Sequence, residues 1–285
     1  MKPAPLSYVR PSSLEQAVTL LAANDGNARI LAGGQSLMPM LAFRLAQPAL
    51  LVDINRIPGA DAITCDAQGV QIGPSVRHAD LLRHAQAGGH PLLAAALPLV
   101  AHSGVRNRGT VCGSLALADP AAELPACAIA LDARLHLLSV RGPRWVEADA
   151  FFRGIYDTDL AEDEMIAAVV FPHAAAGWRW TCQEVARRHG DFAMAGLAAG
   201  LRRDGARITA ARLVAFGVGE RPLRLHAAEQ ALCDGASLDG VADAVASLDQ
   251  EDISGTPDYP APYRRDLLAT LLRRSVAALT DEGMA

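Results

Sequence analysis

The sequence predicts an α+β chain organised in two domains. Residues 29–54 read as strand, glycine turn, helix and strand, the spacing of a parallel βαβ unit. Residues 178–217 read as three strands of an antiparallel sheet, and the pattern beyond them is helical. Between these regions, 172–177 is a small-residue, loop-like stretch that places a domain boundary there. Length and composition agree: 285 residues suffice for two or three domains, and 51% hydrophobic against 20% charged is the balance of a globular core.

The elements follow in order. Pro11-Ser12-Ser13 ahead of Leu14, Ala17, Val18, Leu20 and Leu21 marks a capped helix with one apolar face. A strand over 29–32 runs into Gly33-Gly34-Gln35-Ser36, with a helix over 37–45 and a buried strand over 50–54. Residues 63–65 and 70–73 flank Asp66-Ala67-Gln68-Gly69 as a hairpin. Helices fit 78–86 and 91–99, and a long polar loop over 103–114 separates them from the apolar run 121–132, which suits a buried helix. Residues 133–140 alternate as a strand, and 165–171 form another, closed by Pro172. Three strands over 178–187, 194–203 and 206–217 follow, the last two joined near Asp204-Gly205. Helices over 222–233, 238–248 and 263–279 complete the chain.

Composition and missing motifs exclude several functions. A net charge of −5, from 26 basic and 31 acidic residues, lacks the basic footprint of a nucleic-acid partner. The five cysteines, Cys65, Cys112, Cys127, Cys182 and Cys233, include no CxxC pair, so neither a zinc ribbon nor an iron–sulfur cluster is expected on this chain. Lys2 is the sole lysine, which removes the GxxxxGK[ST] phosphate loop, and GxGxxG, HExxH and GxSxG are also missing. The first residues have no apolar signal region, and the longest apolar stretch, 91–101, is about half a bilayer span and holds prolines. A cytoplasmic protein without a membrane span is expected.

Two glycine-bearing segments carry the candidate chemistry. In Leu31-Ala32-Gly33-Gly34-Gln35-Ser36-Leu37 a strand ends in paired glycines, whose N–H groups form a nest suited to a phosphate. Ser36 adds a hydroxyl and is placed to cap the helix that follows; the competing reading is a plain strand-to-helix turn. The second segment, 103–114, is dense in Gly, Asn, Thr and Ser. Glu123 then falls on the first turn of a helix, where a carboxylate either accepts from ribose hydroxyls or complements the helix dipole.

Together, AGGQS, NRGTVCGSLALADPAAELP and VARRHGDFAMAG occur in an order that resembles the FAD-binding medium subunit of molybdenum hydroxylases. This is the family of carbon monoxide dehydrogenase and of the flavin region of xanthine dehydrogenase. The resemblance implies a p-cresol-methylhydroxylase-type FAD domain over 1–175, with subdomains of about 1–57 and 58–175. A smaller C-terminal domain over 176–285 would combine a three-stranded antiparallel sheet with helices. It further implies that Leu31, Ala32, Gly33, Gly34, Gln35, Ser36, Leu37 and Met38 cradle the FAD pyrophosphate together with Thr110, Val111, Cys112, Gly113 and Ser114. Glu123 matches the acid on the adenosine side, Val100 and Ile166 match apolar contacts, Gln183 sits where some relatives have lysine, and Phe192 matches an aromatic near the isoalloxazine ring.

The resemblance assigns no catalytic side chain and no metal to this chain. It implies a large molybdopterin subunit and a small 2Fe–2S subunit as partners, as a dimer of heterotrimers, with an external electron acceptor. The alternatives are a stand-alone flavin reductase or oxidase of the same fold, and a flavin-free assembly subunit. Cys112 and Ser114 depart from the family's Gly and Asn, and a Cβ at position 112 is expected to narrow the approach of backbone to phosphate unless φ there is negative.

Overall fold

The computed structural model describes residues 2–248 and 252–281, so the last four residues of the expected C-terminal domain lie outside the described residues. It opens with β1 (Ser7–Val9), α1 (Leu14–Ala22), β2 (Ala28–Leu31), α2 (Leu37–Ala42) and β3 (Leu50–Asp53). The strands form a parallel sheet in the order β1-β3-β2, so the expected βαβ unit is present with one further strand on its edge. At three residues, β1 is too short to show a period of two in sequence. Ser13 caps α1 by accepting from the Gln16 N–H at 3.2 Å, and the helix buries Ala17, Val18 and Leu21.

The middle region contains β4 (Ile63–Asp66), β5 (Gly69–Ile72), α3 (His78–His84), α4 (Pro91–Ala96), α5 (Ser103–Arg106), α6 (Val111–Leu117) and α7 (Glu123–Ala130). It continues through β6 (Arg134–Ser139), β7 (Gly142–Glu147), α8 (Ala148–Phe151), β8 (Phe152–Gly154), β9 (Asp157–Thr158) and β10 (Met165–Phe171). Its main sheet is antiparallel, in the order β4-β5-β10-β6-β7. Every residue of central β10 is buried, which is why Met165 to Phe171 reads as one continuous apolar run. The long loop expected over 103–114 is instead two short helices joined by 107–110. Their length leaves little periodicity to read, and Gly104, Gly109 and Gly113 mask it further. Strand β7 was also not expected, because it starts on Gly142-Pro143 and carries charged and apolar residues on both faces at the sheet edge.

The chain ends with β11 (Trp178–Ala186), β12 (Ala193–Asp204), β13 (Arg207–Phe216), β14 (Leu223–Arg224), α9 (His226–Cys233), α10 (Leu238–Ala246) and α11 (Ala261–Thr280). The three long strands match the expected antiparallel sheet, to which the two-residue β14 adds an edge. Both faces of this sheet are covered. Leu197, Leu201 and Leu213 pack with Leu268 and Leu272 of α11, whereas Cys182, Ala198, Val214 and Phe216 join the core of the middle region. No helix among the described residues is long and apolar enough to cross a membrane.

Candidate functional site

The turn after β2 meets the turn before α6. A Cβ on Gly33 would lie 2.6 Å from the Arg108 carbonyl oxygen and 2.7 Å from Gly109 Cα, so only glycine lets the two backbones approach this closely. Gly34 follows in the left-handed region at φ +70. His78 fixes the second turn from below: its N–H donates to the Gly109 carbonyl at 3.0 Å and its ring Nε2 lies 2.9 Å from the Thr110 carbonyl. Burial pushes the His78 ring down to about 4, so it is neutral, and an acceptor on Nε2 selects the Nε2–H tautomer.

An account of backbone polar groups shows what these turns offer. Their carbonyls are largely occupied: Gly33 accepts from Gln35 Nε2 at 3.1 Å, Gly34 from Met38 N–H at 3.0 Å, and Ser36 from Met40 N–H at 3.2 Å. Thr110 accepts from Ser114 N–H at 3.0 Å as well as from His78. Their donors are not occupied. Among the described residues, the N–H groups of Gly33, Gly34, Gln35, Ser36, Leu37, Thr110 and Cys112 meet no protein acceptor. A surplus of N–H beside spent carbonyls leaves a positive field, which fits the pyrophosphate of a dinucleotide.

Individual side chains refine this picture. Ser36 makes no cap to α2, contrary to expectation, because its helical φ −95, ψ −46 is not the extended conformation of a capping residue. Thr110 does cap: its Oγ1 accepts from Gly113 N–H at 3.2 Å, and a Cβ on Gly113 would strike that oxygen at 2.5 Å. Val111 and Cys112 point into the core. The Cys112 thiol faces the Ile72 and Gly73 carbonyls at 3.9 and 3.7 Å, and burial pushes it up to about 12. Cys112 lies inside helix α6, the negative-φ case in which its Cβ is not expected to narrow the turn. Ser114 is half-buried on the first turns of α6.

The third motif reaches the same neighbourhood through a strained corner at Val100-Ala101. Ala101 adopts φ +42, and Arg106 gathers the Pro98, Val100 and Ala101 carbonyls at 3.2, 2.8 and 2.8 Å. A Cβ on Gly190 would lie 3.0 Å from the Ala101 carbonyl, and two residues on Phe192 is 74% exposed. Val100 itself is buried, as is Ile166 in β10.

Glu123 begins α7 and is buried. Burial, reinforced by the negative charges of Glu184 and Asp119, pushes its carboxyl up to about 8, against the pull of its own backbone N–H and of Arg106. Glu184 is itself pushed up to about 7 by burial. Gln183 is not brought to this side of β11. It pairs with Leu197 on the face that packs against the C-terminal helices, so strand alternation turns Glu184 towards Glu123. Sequence reasoning missed Glu184, Arg106, Asn55, Arg77 and His78. Only Glu184 had a signal, the two-residue alternation Trp178, Trp180, Cys182, Glu184 along one strand face.

Two amide-rich turns that converge at Gly33 form the donor-lined cradle that a dinucleotide pyrophosphate needs. The family model for the FAD binding domain in molybdopterin dehydrogenase matches residues 4–174, and that for the CO dehydrogenase flavoprotein C-terminal domain matches 180–279. The chain belongs to this family, the FAD-binding medium subunits of molybdenum hydroxylase-type dehydrogenases. It is 37% identical to the nicotine 6-hydroxylase medium subunit of Paenarthrobacter nicotinovorans, covering 97% of this chain and 98% of that protein. Carbon monoxide dehydrogenase of Hydrogenophaga pseudoflava superposes with a TM-score of 0.92 at 36% identity, over 98% of both chains. Quinoline 2-oxidoreductase from Pseudomonas putida 86 superposes with a TM-score of 0.90 at 36% identity, over the full length of both.

Proposed function

We propose that this chain holds FAD between its two glycine turns and serves as the flavin relay of a three-subunit dehydrogenase. The observation that carries the reading is the run of N–H groups from Gly33 to Leu37, joined by Thr110 and Cys112, that lack protein acceptors where two backbones converge. In this reading segments 31–38 and 110–114 cradle the pyrophosphate, the donors being the N–H groups of 33–37, Thr110 and Cys112, with Ser36 and Ser114 adding hydroxyls. Glu123, protonated at neutral pH, offers both a donor and an acceptor to a ribose diol. Val100 and Ile166 supply apolar walls, and exposed Phe192 shields the ring. On β11, Glu184 lies on the side of Glu123 and Gln183 on the opposite side.

Bound FAD would accept electrons from 2Fe–2S clusters of a small subunit, fed by a molybdopterin centre on a large one, and release them to an external acceptor. The chain's contribution is binding and orientation, not acid–base chemistry. Residues 1–175 would form the FAD domain and 176–285 the C-terminal domain of a cytoplasmic dimer of heterotrimers.

Gly33→Val in the co-purified complex tests this. Its side chain must force the two turns apart, so the complex is expected to lose FAD and delivery to the acceptor, while the organic substrate still reduces the partner subunits. Stoichiometric FAD in the variant, or undiminished electron delivery without it, would overturn the assignment.

A further inference from the structure

Three side chains outside both glycine turns connect them. Asn55, two residues past the end of β3, donates through Nδ2 to the Ala32 carbonyl at 2.8 Å, to the Leu31 carbonyl at 3.3 Å and to Asp53 Oδ1 at 2.6 Å. Its Oδ1 accepts from the Arg77 guanidinium. The other arm of Arg77 donates to the Arg108 carbonyl in the second turn. Asp53 anchors the assembly from β3 and accepts from Tyr8 Oη and from the Asn55 N–H, the latter at 2.9 Å. Burial opposes the Asp53 charge, but these hydrogen bonds and Arg10 still hold it below the usual carboxylate range.

We infer that Asn55 and Arg77 form a clasp that positions the two cofactor turns. The carbonyls it grips, Leu31, Ala32 and Arg108, flank the convergence point at Gly33. A carbonyl turned towards a pyrophosphate would oppose its charge. Tying these three back keeps oxygen dipoles out of the site and leaves the N–H groups as its lining. The polarity of the clasp is forced. Asn55 faces three oxygens with its amide nitrogen and a guanidinium with its amide oxygen, so neither Asp nor a flipped amide fits. Arg77 spans two separate acceptors, Asn55 Oδ1 and the Arg108 carbonyl, a task for a fork rather than for the single ammonium of lysine. Neither residue is placed against the cofactor itself: both act through the backbone of the turns.

This inference rests on the assignment of FAD to those turns, and the test separates the two. The full chain, stripped of flavin, is titrated with FAD, with ADP and with riboflavin, for the wild type and for Asn55→Asp, Asn55→Ala, Arg77→Lys and Arg77→Met. Thermal melts of the ligand-free forms identify any variant that fails to fold. The folded variants are expected to bind both FAD and ADP about tenfold or more weakly, with riboflavin affinity unchanged. The double variant Asn55→Ala/Arg77→Met is expected to lose little beyond either single one, since each removes the same clasp. FAD and ADP affinities at the wild-type level in the folded variants would overturn the clasp. So would equal losses for riboflavin, or strictly additive losses in the double variant. Failure of the wild-type chain to bind FAD and ADP at all would instead overturn the FAD assignment.

Discussion

At the scale of one residue, Glu123 ties burial of a carboxyl to stability. Its carboxyl moves from an ordinary value of 4.5 to about 8 because it is buried at the start of α7, with Glu184 and Asp119 nearby. Between those two pH values the folded chain holds a proton that the unfolded chain releases. Stability therefore falls as pH rises through this window and levels off above it. Buried, neutral His78 and His90 contribute the opposite slope below about pH 6.5, so the Glu123 effect is read as a difference: the melting temperature of the ligand-free chain relative to that of Glu123→Gln is expected to fall between about pH 5 and 8. A residual slope of the same sign is expected from Glu184, which is also raised. An unchanged slope in Glu123→Gln would show that Glu123 is ionised when folded. The glutamate and its place on a first helical turn were legible in the sequence. Its protonation was not, because it depends first on burial by the surrounding fold and then on Glu184 of β11.

At the scale of elements, strand β12 shows what a correctly expected strand still conceals. Gly196 and Gly200 interrupt an alanine-rich run and weaken its strand propensity. In the fold they make room for aromatic rings. A Cβ on Gly196 would lie 2.1 Å from the Phe216 ring, and one on Gly200 would lie 2.4 Å from the Trp180 ring. Gly200→Leu is expected to destabilise the chain by about 1–3 kcal/mol or more through overpacking, measurable by urea denaturation. An effect below about 0.5 kcal/mol would mean that Trp180 moves aside freely. The same blindness to neighbours turned 103–114 into a loop on sequence grounds. Helices α5 and α6 have four and seven residues, too short to stand alone, and are held by Arg106, by the Thr110 cap and by packing of Val111, Cys112 and Leu115. By contrast α1, β3, β10 and the long C-terminal strands were legible. Each has a strong apolar period or an unbroken apolar run.

At the scale of the whole molecule, the C-terminal sheet is shared property. Its inner face, with Cys182, Ala198, Val214 and Phe216, belongs to the core that also holds α4, α7 and β10 residues. Gly190 and the Glu123–Glu184 neighbourhood lie along this same junction. Unfolding of the two regions is therefore expected to be coupled. Phe216→Ala, at a fully buried position, is expected to cost about 3–5 kcal/mol and to shift fluorescence and far-ultraviolet dichroism transitions together. Separate transitions, with only one of them moved, would show that the regions unfold independently.

The sequence by itself determined the α+β class, the order of the main strands and helices, and the ordered glycine motifs through which the family resemblance could be seen. These depend on local spacing, and spacing is written along the chain. Only the tertiary structure decided which atoms face the site. It set the convergence of Gly33 on Arg108, the Asn55–Arg77 clasp, the turn of Cys112 into the core, and the opposite sides of β11 taken by Glu184 and Gln183. Each of these is a contact between residues far apart in the chain, fixed by backbone register and side-chain direction, and neither quantity has a local signature.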